Sequence, residues 1–310
     1  MKYGFPSEKA KKFPLMVILD VCNVCNLECI HCPHVSLKKE ASYRPTFLKW
    51  EWFDKIAREV GNHPGTLLRY ASDGESLLHP QFINMVEHAH KLGVKPQNLT
   101  TNGLLLDEKK SQLLLKAGID VVDISIDAFR KETYEKIRRK SNFHRVMANV
   151  HKLIELRDKI NPKTKIMVSI VNQPEAAEEI DDFVNYWNPL VDRVLVRNFC
   201  NVLGLVNKAE NKKGFVTDRY PCPQFWKRVT ITCTGHFRFC VEDWRNETII
   251  GHVKDTSIEE IWKGETYERL RQLHLEGRYD EISVCKDCTD WQASPWEYGY
   301  EYAIARIQSE

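Results

Sequence analysis

The chain has 310 residues, with 45 Lys and Arg against 43 Asp and Glu, for a formal charge of +2. Apolar residues make up 43% and charged residues 28%, which excludes a disordered or fibrous chain. The near-zero charge excludes a global field toward nucleic acid or an anionic membrane. At roughly 150 residues per domain, the length predicts about two domains. No apolar run reaches the ~18 residues of a spanning helix. The basic stretch from Met1 to Lys12 lacks the apolar segment of a signal peptide. A cytoplasmic protein with no membrane or nucleic-acid partner is therefore expected. In that compartment its ten cysteines stay reduced, and clustered cysteines there bind metal or act in catalysis.

In chain order, apolar β-branched runs predict strands at 15–21, 67–70, 97–100, 121–126, 166–171 and 193–196. Helical patterns lie between them. One carries Phe53, Ile56, Ala57 and Val60; another carries Phe82, Met85, Val86, Ala89 and Leu92. These are the spacings of one buried helix face. Six strands alternating with helices predict βαβ units and a parallel sheet. Six units are too few for a closed eightfold barrel, which leaves a partial barrel or an open doubly wound sheet. The expected fold class is α/β, a partial (β/α)6 TIM-like barrel. Residues 201–215 are polar and read as a linker. Val229–Cys233, a turn at Thr234-Gly235-His236 and Phe237–Val241 form a hairpin signature. Ser257 and Glu260 form a capping box that opens a helix running to about Leu275. The expected division is a core at 1–200, the linker, and a small hairpin-plus-helix module at 216–310.

Cys22, Cys25, Cys29 and Cys32 sit within eleven residues, directly after the first expected strand. Thiolates in a short loop suit zinc or an iron–sulfur cluster. Structural zinc sites pair two C-x2-4-C knuckles that are far apart in sequence. Here Cys25, Cys29 and Cys32 form C-x3-C-x2-C on one tight loop. Three ligands on a four-iron cube leave one iron open. A zinc knuckle or a redox dithiol is the alternative, and Cys22 leaves the register ambiguous.

Cys25-x3-Cys29-x2-Cys32 resembles the signature of the radical S-adenosylmethionine (SAM) superfamily. The resemblance implies that these three thiolates hold a [4Fe–4S] cluster whose fourth iron is chelated by SAM. One electron then yields a 5′-deoxyadenosyl radical that abstracts hydrogen from substrate. His31 fills a place that is commonly aromatic in the family. Asp73-Gly74-Glu75 stands where the family usually has Gly-Gly-Glu, so the first glycine is replaced. The resemblance implies SAM contacts at Asp73, Gly74 and Glu75, at Asn102 in Thr-Asn-Gly, at Ser125 and Asp127, at Arg138 through a bidentate grip on the SAM carboxylate, and at Ser169. Taken singly, Asp73 and Glu75 also read as helix caps and Arg138 as a solvated charge. All lie near the expected C-terminal strand ends, where such folds bind ligands.

Cys222, Gly235-x4-Cys240 and Cys285-x2-Cys288 resemble the SPASM/twitch extension of radical SAM enzymes. No cysteine follows Cys288, which fits the shorter twitch version. The resemblance implies one auxiliary [4Fe–4S] cluster on Cys222, Cys240, Cys285 and Cys288, with an electron-transfer role. A structural zinc is the alternative. Cys22, Cys200 and Cys233 receive no role.

This spacing is similar to the 2-deoxy-scyllo-inosamine dehydrogenase type, which implies a radical SAM oxidoreductase. Its substrate would be a small sugar or cyclitol alcohol, and its reductant a flavodoxin or ferredoxin. A peptide maturase, epimerase or dehydratase could use the same scaffold. A non-catalytic iron–sulfur electron carrier or a zinc-binding module is the reading from another class. The short stretch before Cys22 favours a small substrate over a peptide. Arg69, Arg197, Asn198 and Glu242 are candidate substrate-facing groups, and no general base is identified.

Overall fold

The computed structural model describes residues 3–71, 73–206 and 218–294, together with Trp296, Tyr300 and Ile304. All six expected strands form: β1 (Met16–Leu19), β2 (Leu67–Tyr70), β3 (Gln97–Thr101), β4 (Val121–Ser125), β5 (Lys165–Asn172) and β6 (Arg193–Asn198). Three more follow, β7 (Arg228–Ile231), β8 (His236–Arg238) and β9 (Ile249–His252). The nine build one sheet in the order β9-β8-β7-β1-β2-β3-β4-β5-β6. Neighbours from β1 to β6 pair in parallel. The sheet ends at β6 and β9 among the described residues, so the α/β architecture is a partial TIM-like barrel.

Alternation along the strands divides the core. Val17, Leu19, Leu68, Tyr70, Val122, Ile124 and Val168 belong to the large cluster under the helices. Met16, Ile18, Leu67, Val121 and Met167 pack on the other face with Ile304, and Tyr300 and Leu195 lie against them. The helix Trp50–Gly61 buries Phe53, Ile56, Ala57 and Val60 as its periodicity demands. The helix Phe82–Lys91 buries Phe82, Met85, Val86 and Ala89, and Leu92 becomes its C-cap.

Three expectations change. The helix expected to run from the Ser257 capping box to Leu275 is two helices, Ile258–Lys263 and Glu265–Leu275, broken at Gly264. Gly264 is extended there, and a Cβ would lie 2.8 Å from the Glu260 carbonyl oxygen. Arg271 donates to the Trp262 carbonyl at 2.9 Å and satisfies the broken end. Ser169 is interior to β5, which runs on to Asn172. The C-terminal hairpin is also not set apart. β7 pairs in parallel with β1, from Met16 opposite Arg228 to Leu19 opposite Ile231. Of the expected linker, 201–206 form a turn whose Asn201 and Leu203 amides donate to Asp290 at 2.8 and 3.0 Å. Residues 207–215 lie outside the described residues.

Candidate functional site

β1 delivers the chain into the Cys22–Cys32 loop at the C-terminal edge of the sheet. Cys22 is buried against the neighbouring strip: its thiol donates to the Glu75 carbonyl at 3.2 Å. Burial pushes that thiol up to about 12. Cys25, Cys29 and Cys32 act on one another electrostatically, and burial raises each of them. A two-residue ladder sets Cys29 opposite Arg138. Cys22 also feels the charge of Cys25, but its thiol is tethered to the Glu75 carbonyl. Among the described residues, no three His, Cys, Asp or Glu side chains converge on one metal-ion position. Three soft thiolate donors on one loop fit an iron–sulfur cluster.

The Asp73-Gly74-Glu75 strip follows β2 and lies directly on this loop. The Glu75 amide donates to the Val24 carbonyl at 2.8 Å. A Cβ on Gly74 would lie 2.4 Å from the Cys22 carbonyl oxygen and 2.6 Å from that of Val24, so only glycine fits. The buried Glu75 carboxylate accepts from the Thr101 hydroxyl and the Asn102 amide, both at 2.8 Å. Burial raises its carboxyl. The Asn102 side chain donates to Asn26 in the cysteine loop at 2.9 Å. Ser125 and Ser169 are register partners across β4 and β5. Among the described residues the buried Ser169 hydroxyl has no hydrogen-bond partner.

Two expected SAM contacts turn onto each other. Arg138 donates through Nε and Nη2 to Asp127 Oδ2, at 3.0 and 2.6 Å. Its Nη1 lies 3.9 Å from Cys29 Sγ. Asp127 sits at φ 65 and accepts from the Val171 amide at 3.0 Å. Burial opposes its ionisation, but Arg138 and His31 outweigh burial and hold its carboxyl below the usual range. The bidentate grip expected on a SAM carboxylate is spent on Asp127, so Arg138 is a brace between β4 and Cys29. Asp73 also turns away: its carboxylate pairs with the buried Arg238 of β8 at 2.7 and 2.9 Å.

Cys222, Cys240, Cys285 and Cys288 line one cavity of about 390 Å³, part of it open to solvent, with Glu242, Asp290 and His274. These ligands come from the segment before β7, from the end of the hairpin and from the chain after the last long helix. Their backbone is held by two other residues of the lining. Arg219 donates to the Cys285 carbonyl at 2.7 Å, and His274 Nδ1 accepts from the Cys222 amide at 3.2 Å. Burial lowers His274 to about 4, which keeps it neutral and able to accept. Burial, reinforced by Asp290, pushes the Glu242 carboxyl up to about 7. Cys200, left without a role by its spacing, lies close enough to Cys288 to raise its own thiol further. Four thiols around one cavity fit a cluster closed on all its irons.

Two of the candidate substrate-facing groups, Arg69 and Arg197, meet around Tyr300, whose ring lies 3.8 and 5.2 Å from their guanidiniums. Arg197 also donates to Asp123, which accepts from the Tyr300 hydroxyl at 2.8 Å. Asn198 is exposed. Glu242 belongs to the second cavity. Sequence reasoning missed Asp20, Asn26, Arg238 and Tyr300, and gave no role to Thr101 within Thr-Asn-Gly. A charged residue at the end of the apolar run of β1 was the available signal for Asp20, and the motif was the signal for Thr101; the others carried none.

The profile described as the radical SAM superfamily matches residues 19–186. That described as an iron–sulfur cluster-binding domain matches residues 222–289. The GTP 3′,8-cyclase of Limosilactobacillus fermentum is 29% identical over 182 residues, covering 58% of this chain and 51% of that protein. That of Petrotoga mobilis is 29% identical over 172 residues, covering 54% and 49%. The chain spans about half the length of these curated relatives. Among solved structures, BtrN in complex with AdoMet and 2-DOIA superposes with a TM-score of 0.65 at 17% identity, covering 94% of this chain and 98% of that one. Streptococcus suis SuiB bound to precursor peptide SuiA gives 0.70 at 14% identity, covering 95% and 73%. At these identities the structures share the fold. No helix among the described residues is long and apolar enough to cross a membrane. The family's cofactors are SAM and a [4Fe–4S] cluster, and the second domain implies auxiliary iron–sulfur chemistry. With more than half its length matched by the profile, and with three cysteines on a loop braced by a glycine-bearing strip, the chain belongs to the radical SAM superfamily.

Proposed function

We propose that this enzyme abstracts hydrogen from a small polar substrate, a sugar or cyclitol alcohol, and oxidises it with one auxiliary [4Fe–4S] cluster. The observation that supports this is the single cavity faced by Cys222, Cys240, Cys285 and Cys288. Four thiolates satisfy all four irons of a cube, which then exchanges electrons and does not bind substrate. When bound, the SAM-chelating cluster on Cys25, Cys29 and Cys32 supplies the electron that generates a hydrogen-abstracting 5′-deoxyadenosyl radical, and the auxiliary cluster supplies an acceptor for the substrate's remaining electron. Oxidation of an alcohol carbon balances in this way: a hydrogen atom leaves the carbon, the hydroxyl proton passes to a base, and one electron is removed. Glu75, anchored by Thr101 and Asn102, fixes the strip against the cysteine loop. The Ser169 hydroxyl is a free donor at the level of Ser125. Arg138, held by Asp127, places a positive charge beside Cys29 that favours the thiolate.

A nucleotide substrate is the second reading, favoured by the GTP 3′,8-cyclases among the relatives. The test is anaerobic reconstitution with iron and sulfide, followed by dithionite and SAM. Carbon-deuterated cyclitol or sugar alcohols and GTP are offered separately. About eight irons per chain and deuterium appearing in 5′-deoxyadenosine from an alcohol support the proposal. Turnover of GTP with no alcohol consumed replaces it with the second reading. Zinc bound with no iron overturns both.

A further inference from the structure

Asp73 occupies the position at which the sequence resemblance expects glycine, and its side chain is not idle. It reaches the guanidinium of Arg238, 165 residues away, with Nη1 2.9 Å from Oδ2 and Nη2 2.7 Å from Oδ1. Arg238 is fully buried. Asp20, at the end of β1, lies 3.4 Å from the same Nη2 and accepts from the Asp73 amide at 3.4 Å. One guanidinium therefore faces two carboxylates. Its remaining hydrogens hold the chain just beyond Cys240: Nη1 donates to the Asp243 carbonyl at 2.9 Å and Nη2 to that of Val241 at 3.3 Å.

The two ends of this pair belong to different sites. Asp73 adjoins Gly74 and Glu75, which rest on the Cys25–Cys32 loop. Arg238 is two residues before Cys240, on the hairpin that carries it to the auxiliary cavity. We infer that Asp73 and Arg238 are a positioning pair that couples the SAM-binding strip to the auxiliary-cluster loop. Asp73 thus anchors the strip at the place where the resemblance expects glycine, and the inference rests on the two-cluster reading above. The geometry explains why a charged residue stands at the fully buried position of Arg238, with the part-buried Asp73 as its partner. An isolated buried arginine or aspartate is costly, whereas a bidentate pair with further hydrogen bonds is tolerated. Neither residue touches SAM or substrate in this role; each acts through its neighbours.

The test reads each site from the opposite end. In the full chain carrying Cys25→Ala, Cys29→Ala and Cys32→Ala, only the auxiliary cluster remains, and its EPR signal and midpoint potential are recorded. Adding Asp73→Gly, which restores the family's glycine, shifts that signal and potential if the pair couples the sites. In the chain with both clusters, Arg238→Lys keeps the charge but loses the bidentate fork. It raises the KM for SAM by roughly twofold to thirtyfold, the range for mutations along a coupling network. The double variant Asp73→Gly with Arg238→Lys keeps a positive charge beside Asp20, and its effects fall short of the summed single effects. An unchanged auxiliary signal in the folded Asp73→Gly chain, with an unchanged KM in Arg238→Lys, overturns the coupling. A triple-alanine background that binds no iron before Asp73 is altered overturns the auxiliary-cluster assignment instead.

Discussion

The two thiol sites are built in opposite ways. The first takes Cys25, Cys29 and Cys32 from one loop, and everything else about it is bracing from neighbouring strand ends. The second collects Cys222, Cys240, Cys285 and Cys288 from three separate segments around one cavity, held by Arg219 and His274 of the same lining. A local loop presents three ligands and leaves room for a fourth partner. A cavity walled from several directions supplies all four and closes. On the proposed assignment assembly and chemistry correspond: three thiolates leave one iron for a small molecule, and four leave none.

Cysteine replacement tests that contrast most severely. Cys29→Ala is expected to abolish 5′-deoxyadenosine formation and to halve the iron, to about four per chain. Cys240→Ala is expected to lose a similar amount of iron yet still cleave SAM, while substrate oxidation stops. Iron analysis paired with product quantification checks both, and equal loss of SAM cleavage in the two variants would break the comparison. Asp127→Ala comes next in size. It leaves Arg138 buried without its carboxylate, at a cost of about 3–5 kcal/mol. Denaturant unfolding should show that loss, and iron should be lost first from the SAM site. Gly74→Ala sharpens the picture of the strip. Its Cβ meets two carbonyl oxygens of the cysteine loop at 2.4 and 2.6 Å, so the strip must move, at about 1–3 kcal/mol. The KM for SAM should rise, and the auxiliary EPR signal should shift with it, because Asp73 on the same strip is tied to Arg238. Ser257→Ala is the smallest. It removes one half of a capping box remote from both sites, at about 1 kcal/mol. A small fall in Tm with both iron counts unchanged would show that general destabilisation does not imitate the other effects.

Much of this molecule is legible locally. The six parallel strands, the buried faces of the helices Trp50–Gly61 and Phe82–Lys91, and the hairpin turn at Gly235 all follow from short-range periodicity and turn chemistry. The cysteine groups follow from spacing. What escaped is long-range. Nothing near Arg238 marks it as Asp73's partner. Nothing near Arg138 reveals that Asp127, eleven residues earlier and at φ 65, would claim its fork. Gly264 breaks a pattern that reads as one continuous helix, because the turn is stabilised by Arg271 from the following helix.

The sequence by itself determined the order of the elements, and its resemblance to the radical SAM signature implied the cofactor chemistry, because strand periodicity and a loop motif are properties of residues close together in the chain. Only the tertiary structure decided that the C-terminal hairpin continues the barrel sheet through β7 beside β1. Only the tertiary structure decided that the charges at Asp20, Asp73 and Arg238 meet in one buried cluster. The physical reason is burial. A charge deep in the protein must find an opposite charge, and which partner it finds depends on which strands the fold makes neighbours.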